Sequence, residues 1–146
     1  MLTQSGIDFY IFDDINVMKV KILLMLLFCF AGLAQAQYIY DNSGRQTAKV
    51  DGIHFYQSSG RSMGKFDGGY IYDASGRQMG RQSGDYFYDG SGRQIGRLSG
   101  DYLYDGKGRQ VARISGNDMY DASGRRILKF DGHRRIMMMI YFFYFY

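Results

Sequence analysis

The sequence has no proline, no tryptophan and no glutamate, and its one cysteine is Cys29. Without glutamate and proline, and with 20 Gly and 14 Tyr, the composition argues against long helices and for short strands joined by glycine turns. One thiol excludes an internal disulfide, so stability has to come from packing and strand pairing. The only imidazoles are His54 and His133. A metal site built from several thiolates and a glutamate acid–base pair are thereby excluded.

The N-terminal third carries a long apolar run. Met18-Lys19-Val20-Lys21 is a basic start, Ile22 to Leu33 is apolar, and Ala34-Gln35-Ala36 supplies the small residues of a cleavage site. This order is that of a secretory signal peptide over 18–36, whose apolar core is too short to span a bilayer as a helix. Residues 1–17, with Asp8, Asp13 and Asp14, read as an extension upstream of the functional start at Met18. Cys29 leaves with the signal, and its neighbours Phe28 and Phe30 do not suit a lipidation site. Removing residues 1–36 takes away Lys19, Lys21 and those three Asp, leaving 16 basic and 11 acidic side chains, a net charge of +5.

From Gln37 to Gly132 the chain divides into six units of 16 residues without insertion: 37–52, 53–68, 69–84, 85–100, 101–116 and 117–132. Position 4 of each unit is Tyr, position 8 Gly, position 9 Arg, and position 13 Lys or Arg. A fixed period of this kind marks a repeat architecture in which no unit buries its apolar face alone. Asp-x-Ser-Gly at positions 5–8 suits a type I turn with glycine in the left-handed slot of a bulge. Positions 15, 16 and 1 supply a second tight turn. Each unit is thus a β-hairpin, and twelve short strands form an up-and-down meander.

A three-residue turn pairs position 5 with 9, 4 with 10, 3 with 11, 2 with 12 and 1 with 13. That register puts Asp89 with Arg93, Phe87 with Ile95 and Asp85 with Arg97 on one surface. Tyr86 then lies over Gly96, and Tyr88 beside Gln94, on the other. The surface with positions 3 and 11 is the expected buried one. A closed ring would remove exposed strand edges.

After the repeats come His133, Arg134 and Arg135, then Ile136–Tyr146, IMMMIYFFYFY. The run is too short for a membrane helix, and it is apolar on both faces where a membrane barrel strand alternates. A basic residue on every return strand also breaks any continuous lipid-facing band. The expectation is a strand over 133–146, buried on both sides and packed through or under the ring. The fold class is therefore all-β: six 16-residue hairpins in a closed or nearly closed flower, barrel or propeller-like meander, with an N-terminal signal helix and a C-terminal buried apolar strand.

No constellation for chemistry emerges from the residues. The serines at position 7 sit in turns without a neighbouring His, and Gly90-Ser91-Gly92 and Gly106-Lys107-Gly108 precede no helix, as a phosphate loop must. The spaced turn carboxylates Asp41, Asp73, Asp89, Asp105 and Asp121 each stand beside an Arg, whereas a hard cation needs six to eight oxygens. No catalytic residue, cofactor or metal ligand is assigned. What remains is the repetition of Tyr with Arg, a combination that can hold sugars and attract anions.

Units of the form GxYIYDASGRQxGRxxG, behind a signal peptide and ahead of an Arg-Arg and Met/Phe/Tyr-rich ending, resemble the five-fold β-flower proteins of Bacteroidetes. The resemblance covers 18–146. It implies hairpin petals around a central axis in a secreted or periplasmic protein, and it transfers no active site. Here six units are countable, so that one either completes the ring or merges with the tail. Gln57 replaces the turn Asp, and Asp118 the position-2 Tyr. A more distant likeness is to the Tyr-Asp-x-x-Gly-Arg units of RHS-type shells, whose arrays are far longer.

The functional expectation is an exported, non-enzymatic structural or interaction protein, periplasmic, surface-held or secreted. The alternative is a binding module for anionic glycan or lipid phosphate. The candidate ligand surface comprises Tyr70, Tyr72, Tyr86, Tyr88, Tyr102 and Tyr104 with Arg77, Arg93 and Arg109. The partner expected is an anionic glycan or other envelope component, not nucleic acid, and the mature chain is not expected to span a membrane.

Overall fold

A computed structural model describes residues 17–22, 36–132 and 134–146. Residues 17–22 are helical, and of the expected upstream extension and signal, residues 1–16 and 23–35 lie outside the described residues. The chain divides into two compact units, Met1–Gln35 and Ala36–Tyr146. The second unit holds the repeats and the tail.

Twelve strands form one closed antiparallel barrel in sequence order. The outgoing strands are β1 (Gln37–Asp41), β3 (His54–Gln57), β5 (Tyr70–Asp73), β7 (Tyr86–Asp89), β9 (Tyr102–Asp105) and β11 (Asp118–Asp121). The return strands are β2 (Gln46–Asp51), β4 (Ser62–Asp67), β6 (Gln78–Ser83), β8 (Gln94–Ser99), β10 (Gln110–Ser115) and β12 (Arg126–Phe130). Ring closure pairs Ile39 with Phe130, Tyr40 with Lys129 and Asp41 with Leu128. Gln37 Nε2 donates to the Gly132 carbonyl at 2.8 Å, which fastens the two ends of the sheet together.

The Asp-x-Ser-Gly turn forms as its residues demand. Asp73 Oδ1 accepts from the Ser75 amide at 2.9 Å, the Ser75 hydroxyl at 2.6 Å and the Arg77 amide at 3.0 Å. Gly76 takes φ 84°, a conformation that needs glycine. The Asp73 amide donates to the Arg77 carbonyl at 2.9 Å, so position 5 does face position 9 across a three-residue loop.

Beyond position 10 the expected register fails. Tyr88 faces Gln94, but Phe87 then faces Gly96 and Tyr86 faces Arg97. The shift between Phe87 and Tyr88 is a β-bulge that leaves Ile95, at position 11, without a partner. The same shift recurs in all six hairpins. Position 3 therefore pairs with 12, not 11, and position 2 with 13, not 12. Phe87–Ile95 and Asp85–Arg97 are not pairs, and Tyr86 does not cover Gly96.

The bulge decides which residues face inward. Position 3 is fully buried throughout: Ile39, Phe55, Ile71, Phe87, Leu103 and Met119. Its partner at position 12 (Ala48, Gly64, Gly80, Gly96, Ala112, Leu128) is buried beside it. Val50, Ile114 and Phe130 at position 14 complete the inner wall. Position 11, expected in the core, is half-buried at the bulge in Met63, Met79, Ile95, Val111 and Ile127.

The tail is a helix, not a strand. Arg135–Ile140 is α-helical and Tyr141–Phe145 continues it as a π-helix, with the Tyr146 amide donating to the Tyr141 carbonyl at 2.8 Å. Its Met137, Met138, Met139, Ile140 and Tyr141 belong to the same buried cluster as the inner wall. The physical reason lies in closure. A barrel of eight strands is filled by its own side chains, and a wider one needs other filling. Every strand edge of the ring is already paired, so a segment in the lumen can satisfy its backbone only within itself, as a helix does. A helix apolar on every side is one buried on every side. Its rise of about 16 Å over Arg135–Phe145 is close to the height of a five- or six-residue strand.

Three glycines receive the plug. Gly96 abuts the ring of Phe143, and the Phe143 centroid is 4.6 Å from that of Phe87. A Cβ at Gly80 would stand 2.7 Å from Cε1 of Tyr144, and one at Gly64 would stand 3.0 Å from Cζ of Phe145. The Tyr144 hydroxyl donates to the Tyr88 carbonyl at 2.7 Å, and burial pushes its pKa up to about 12. At the opposite end Arg135 Nη1 pairs with Asp101 Oδ1 at 2.9 Å.

Candidate functional site

The same register that buries position 3 turns positions 2, 4 and 13 outward. Each basic residue at position 13 faces the position-2 residue of its own hairpin and the position-4 tyrosine of the next. Arg81 lies between Tyr70 and Tyr88, Arg97 between Tyr86 and Tyr104, and Arg113 between Tyr102 and Tyr120. Lys49, Lys65 and Lys129 continue the pattern through Tyr38, Tyr56, His54, Tyr72, Asp118 and Tyr40. The barrel thus wears a belt in which cations and aromatic rings alternate, broken only where Asp118 faces Lys129.

Within the belt the guanidinium groups lie over the rings. Arg81 Cζ is 4.2 Å from the Tyr88 centroid, Arg97 Cζ 4.4 Å from Tyr104 and Arg113 Cζ 5.0 Å from Tyr120. The lysines are looser, Lys65 Nζ at 5.2 Å from Tyr72 and Lys49 Nζ at 5.9 Å from Tyr56. A cation on a phenol face gains about 0.5–1 kcal/mol at an exposed site. The planar guanidinium keeps its edge free to donate to a planar anion.

Position 15 divides the belt into two kinds of repeat. In the first two units it is Asp, and Lys49 pairs with Asp51 at 3.2 Å and Lys65 with Asp67 at 3.1 Å. In the next three it is Ser83, Ser99 and Ser115. Arg81, Arg97 and Arg113 have no ion-pair partner among the described residues. Three neighbouring hairpins therefore present an arc of stacked, uncompensated guanidinium groups. Beside each stands an exposed ring: Tyr70 43 %, Tyr86 44 % and Tyr102 42 % accessible.

The tyrosines singled out in the sequence all lie on this belt. Tyr70, Tyr86 and Tyr102 are its exposed members, and Tyr72, Tyr88 and Tyr104 are half-buried beneath cations. The arginines singled out with them do not. Arg77, Arg93 and Arg109 stand at the turn rim, paired with Asp73 at 3.3 Å, Asp89 at 3.1 Å and Asp105 at 2.8 Å. The register without the bulge hides the belt arginines, because it matches position 13 with position 1, where the structure matches it with position 2. The change from Asp to Ser at position 15 was the available signal.

The rim carboxylates are fully committed. In Asp41 the hydroxyl of Ser43 and the amide of Arg45 hold the pKa down at about 2. Asp73, Asp89 and Asp121 are lowered chiefly by Ser75, Ser91 and Ser123, and Asp105 chiefly by the Arg109 amide. One oxygen of each faces turn donors and the other an arginine, which leaves little for a cation. No group of three or more His, Cys, Asp or Glu side chains is gathered among the described residues. A depression of about 340 Å³, lined by Arg93, Gln94, Ile95, Asp105, Lys107 and Arg109, opens at the turn ends of the strands that carry Arg97 and Tyr104. Among the described residues no helix is long and apolar enough to cross a membrane.

Fold and belt together define a class: a small closed barrel of identical hairpins, filled by its own C-terminal helix and decorated outside by a repeated Tyr–cation motif. The chain belongs to the 5-fold beta-flower protein family, whose model matches residues 36–146. In this member the ring closes with all six repeats, none merging with the tail. No curated protein and no solved structure matches the chain.

Proposed function

We propose that the protein is an exported, non-catalytic interaction module that holds anionic glycan on the arc of Arg81, Arg97 and Arg113. The observation that carries this reading is that three guanidinium groups on adjacent hairpins, each without an ion-pair partner among the described residues, stack on half-buried tyrosines and face exposed ones across the strand pair. Aromatic faces suit the apolar faces of sugar rings, and guanidinium edges suit carboxylate or sulfate. The chain belongs to the 5-fold beta-flower family, and its closed barrel, filled by the tail helix, supports a role in presenting a surface. The basic start, apolar run and Ala-x-Ala ending over 18–36 favour export. A cation midway along each return strand argues against a lipid-facing band.

The test is retention of the mature chain on a sulfated-glycan matrix, eluted by salt. Retention should be lost in the triple variant Arg81→Gln, Arg97→Gln, Arg113→Gln and kept in Arg77→Gln, Arg93→Gln, Arg109→Gln. Equal loss in both, or no retention of the parent chain at low salt, overturns the assignment.

A further inference from the structure

The arc is not one site but three copies of the same one. Each copy is a return-strand arginine between two tyrosines: Tyr70–Arg81–Tyr88, Tyr86–Arg97–Tyr104 and Tyr102–Arg113–Tyr120. Neighbouring copies share a strand, since β7 carries both Tyr86 and Tyr88, and β9 both Tyr102 and Tyr104. The copies therefore abut with no gap. Equivalent residues two strands apart stand about 9.5 Å apart at the backbone, and wider at the tips of side chains on a convex wall.

Resting on the glycan-binding reading, we infer that the ligand is an extended polymer bearing its anionic groups along its length, and that it lies across adjacent hairpins with Arg97 at the centre of the contact. A single exposed cation–anion contact is worth little in water. A lone sulfate or uronate on one copy is held too weakly to matter. A chain that engages one copy meets the next at high effective concentration, so affinity grows with the number of copies spanned and stops growing once all three are covered. The spacing also favours a sparsely charged polymer. A B-form duplex, with a phosphate about every 3.4 Å of axis along each strand, places several charges between one guanidinium and the next, where this surface offers tyrosine.

The three arginines are chemically alike, but their places are not. Losing Arg81 or Arg113 leaves two adjacent copies. Losing Arg97 leaves two copies that no longer touch. The central arginine should therefore matter most, which no account based on net charge alone requires.

The experiment measures binding of size-fractionated sulfated oligosaccharides, from disaccharide to dodecasaccharide, to the mature chain by calorimetry at low salt, with neutral dextran fragments as control. The disaccharide should show no measurable binding, affinity should rise with length, and the rise should level off once the fragment spans three hairpins. With the longest fragment, Arg97→Gln should weaken binding about ten- to thirtyfold and Arg81→Gln or Arg113→Gln about three- to fivefold. Arg97→Lys, which keeps charge but not the planar stack, should fall between. Length-independent binding with equal loss from all three variants overturns the polymer inference while leaving glycan binding in place. Absence of binding at every length overturns the glycan reading itself.

Discussion

Gly96 and Phe143 occupy one another's space. A methyl group on Gly96 would overlap the Phe143 ring, and its three nearest neighbours would all be atoms of that side chain. The glycine is thus an inner-wall socket for one aromatic residue of the plug, 47 positions later in the chain.

Gly96→Ala should lower stability by about 1–3 kcal/mol through overpacking. Since the obstruction is a side chain, combining it with Phe143→Leu should be less destabilising than the sum of the two single changes. Gly80→Ala should show no such relief with Tyr144→Leu, because a methyl there also meets the Tyr88 backbone carbonyl. Urea midpoints in two double-mutant cycles measure both. Additive costs at Gly96 would contradict the socket.

Tyr144→Phe removes the hydroxyl that donates to the Tyr88 carbonyl at 2.7 Å. The cost should be about 1 kcal/mol. Amide exchange should quicken in the plug's final turn before it does in β1 or β12. Unchanged stability and exchange would show that the bond does not help seat the plug.

The turn carboxylates make stability depend on pH. Their pKa values in the fold lie below the ordinary 3.8, Asp41 at about 2. A group lowered in the folded state stabilises it above the unfolded value, and that contribution fades as pH falls through the folded one. The urea midpoint should therefore drop between about pH 4 and pH 2. Asp41→Asn should flatten part of the drop. Gln57 is the repeat's natural exception, with only a 3.4 Å contact to the Ser59 hydroxyl. Gln57→Asp should stabilise the protein near neutral pH and lose that gain in acid. A gain that persists at pH 2 would mean the carboxylate is not its source.

Units one and two carry the belt cations without the free charge, because Asp51 and Asp67 neutralise Lys49 and Lys65. Asp51→Ser with Asp67→Ser should lengthen the uncompensated arc and tighten binding of long sulfated oligosaccharides about three- to tenfold. Short fragments should be unaffected. Unchanged binding of long fragments would show that the carboxylates do not bound the surface.

Much of the fold was legible because the period is so strict. Six identical spacings of Tyr, Gly and Arg gave the hairpins, and Asp41 to Arg45 gave the turn geometry. The bulge at Ile95 was not legible by the same comparison. It occurs in every repeat, so no insertion or gap betrays it, yet it moves the partner of Phe87 from Ile95 to Gly96. The departures in cross-strand pairing follow from that one residue, including the placing of Arg97. The apolar character of Ile136–Tyr146 on both faces fits a buried strand and a buried helix equally. What decides between them is ring closure, which leaves no strand edge to pair with.

The measurement that bears most directly on the account is a set of nuclear Overhauser contacts in the mature chain. Contacts between Tyr40 and Lys129 across the seam, together with contacts between the Phe143 ring and Gly96 Hα, are the predicted result. The first reports a ring closed by six hairpins, and the second a helix seated inside it. Strand-type contacts from residues 136–146 to β1 or β12, with none between Tyr40 and Lys129, would contradict it.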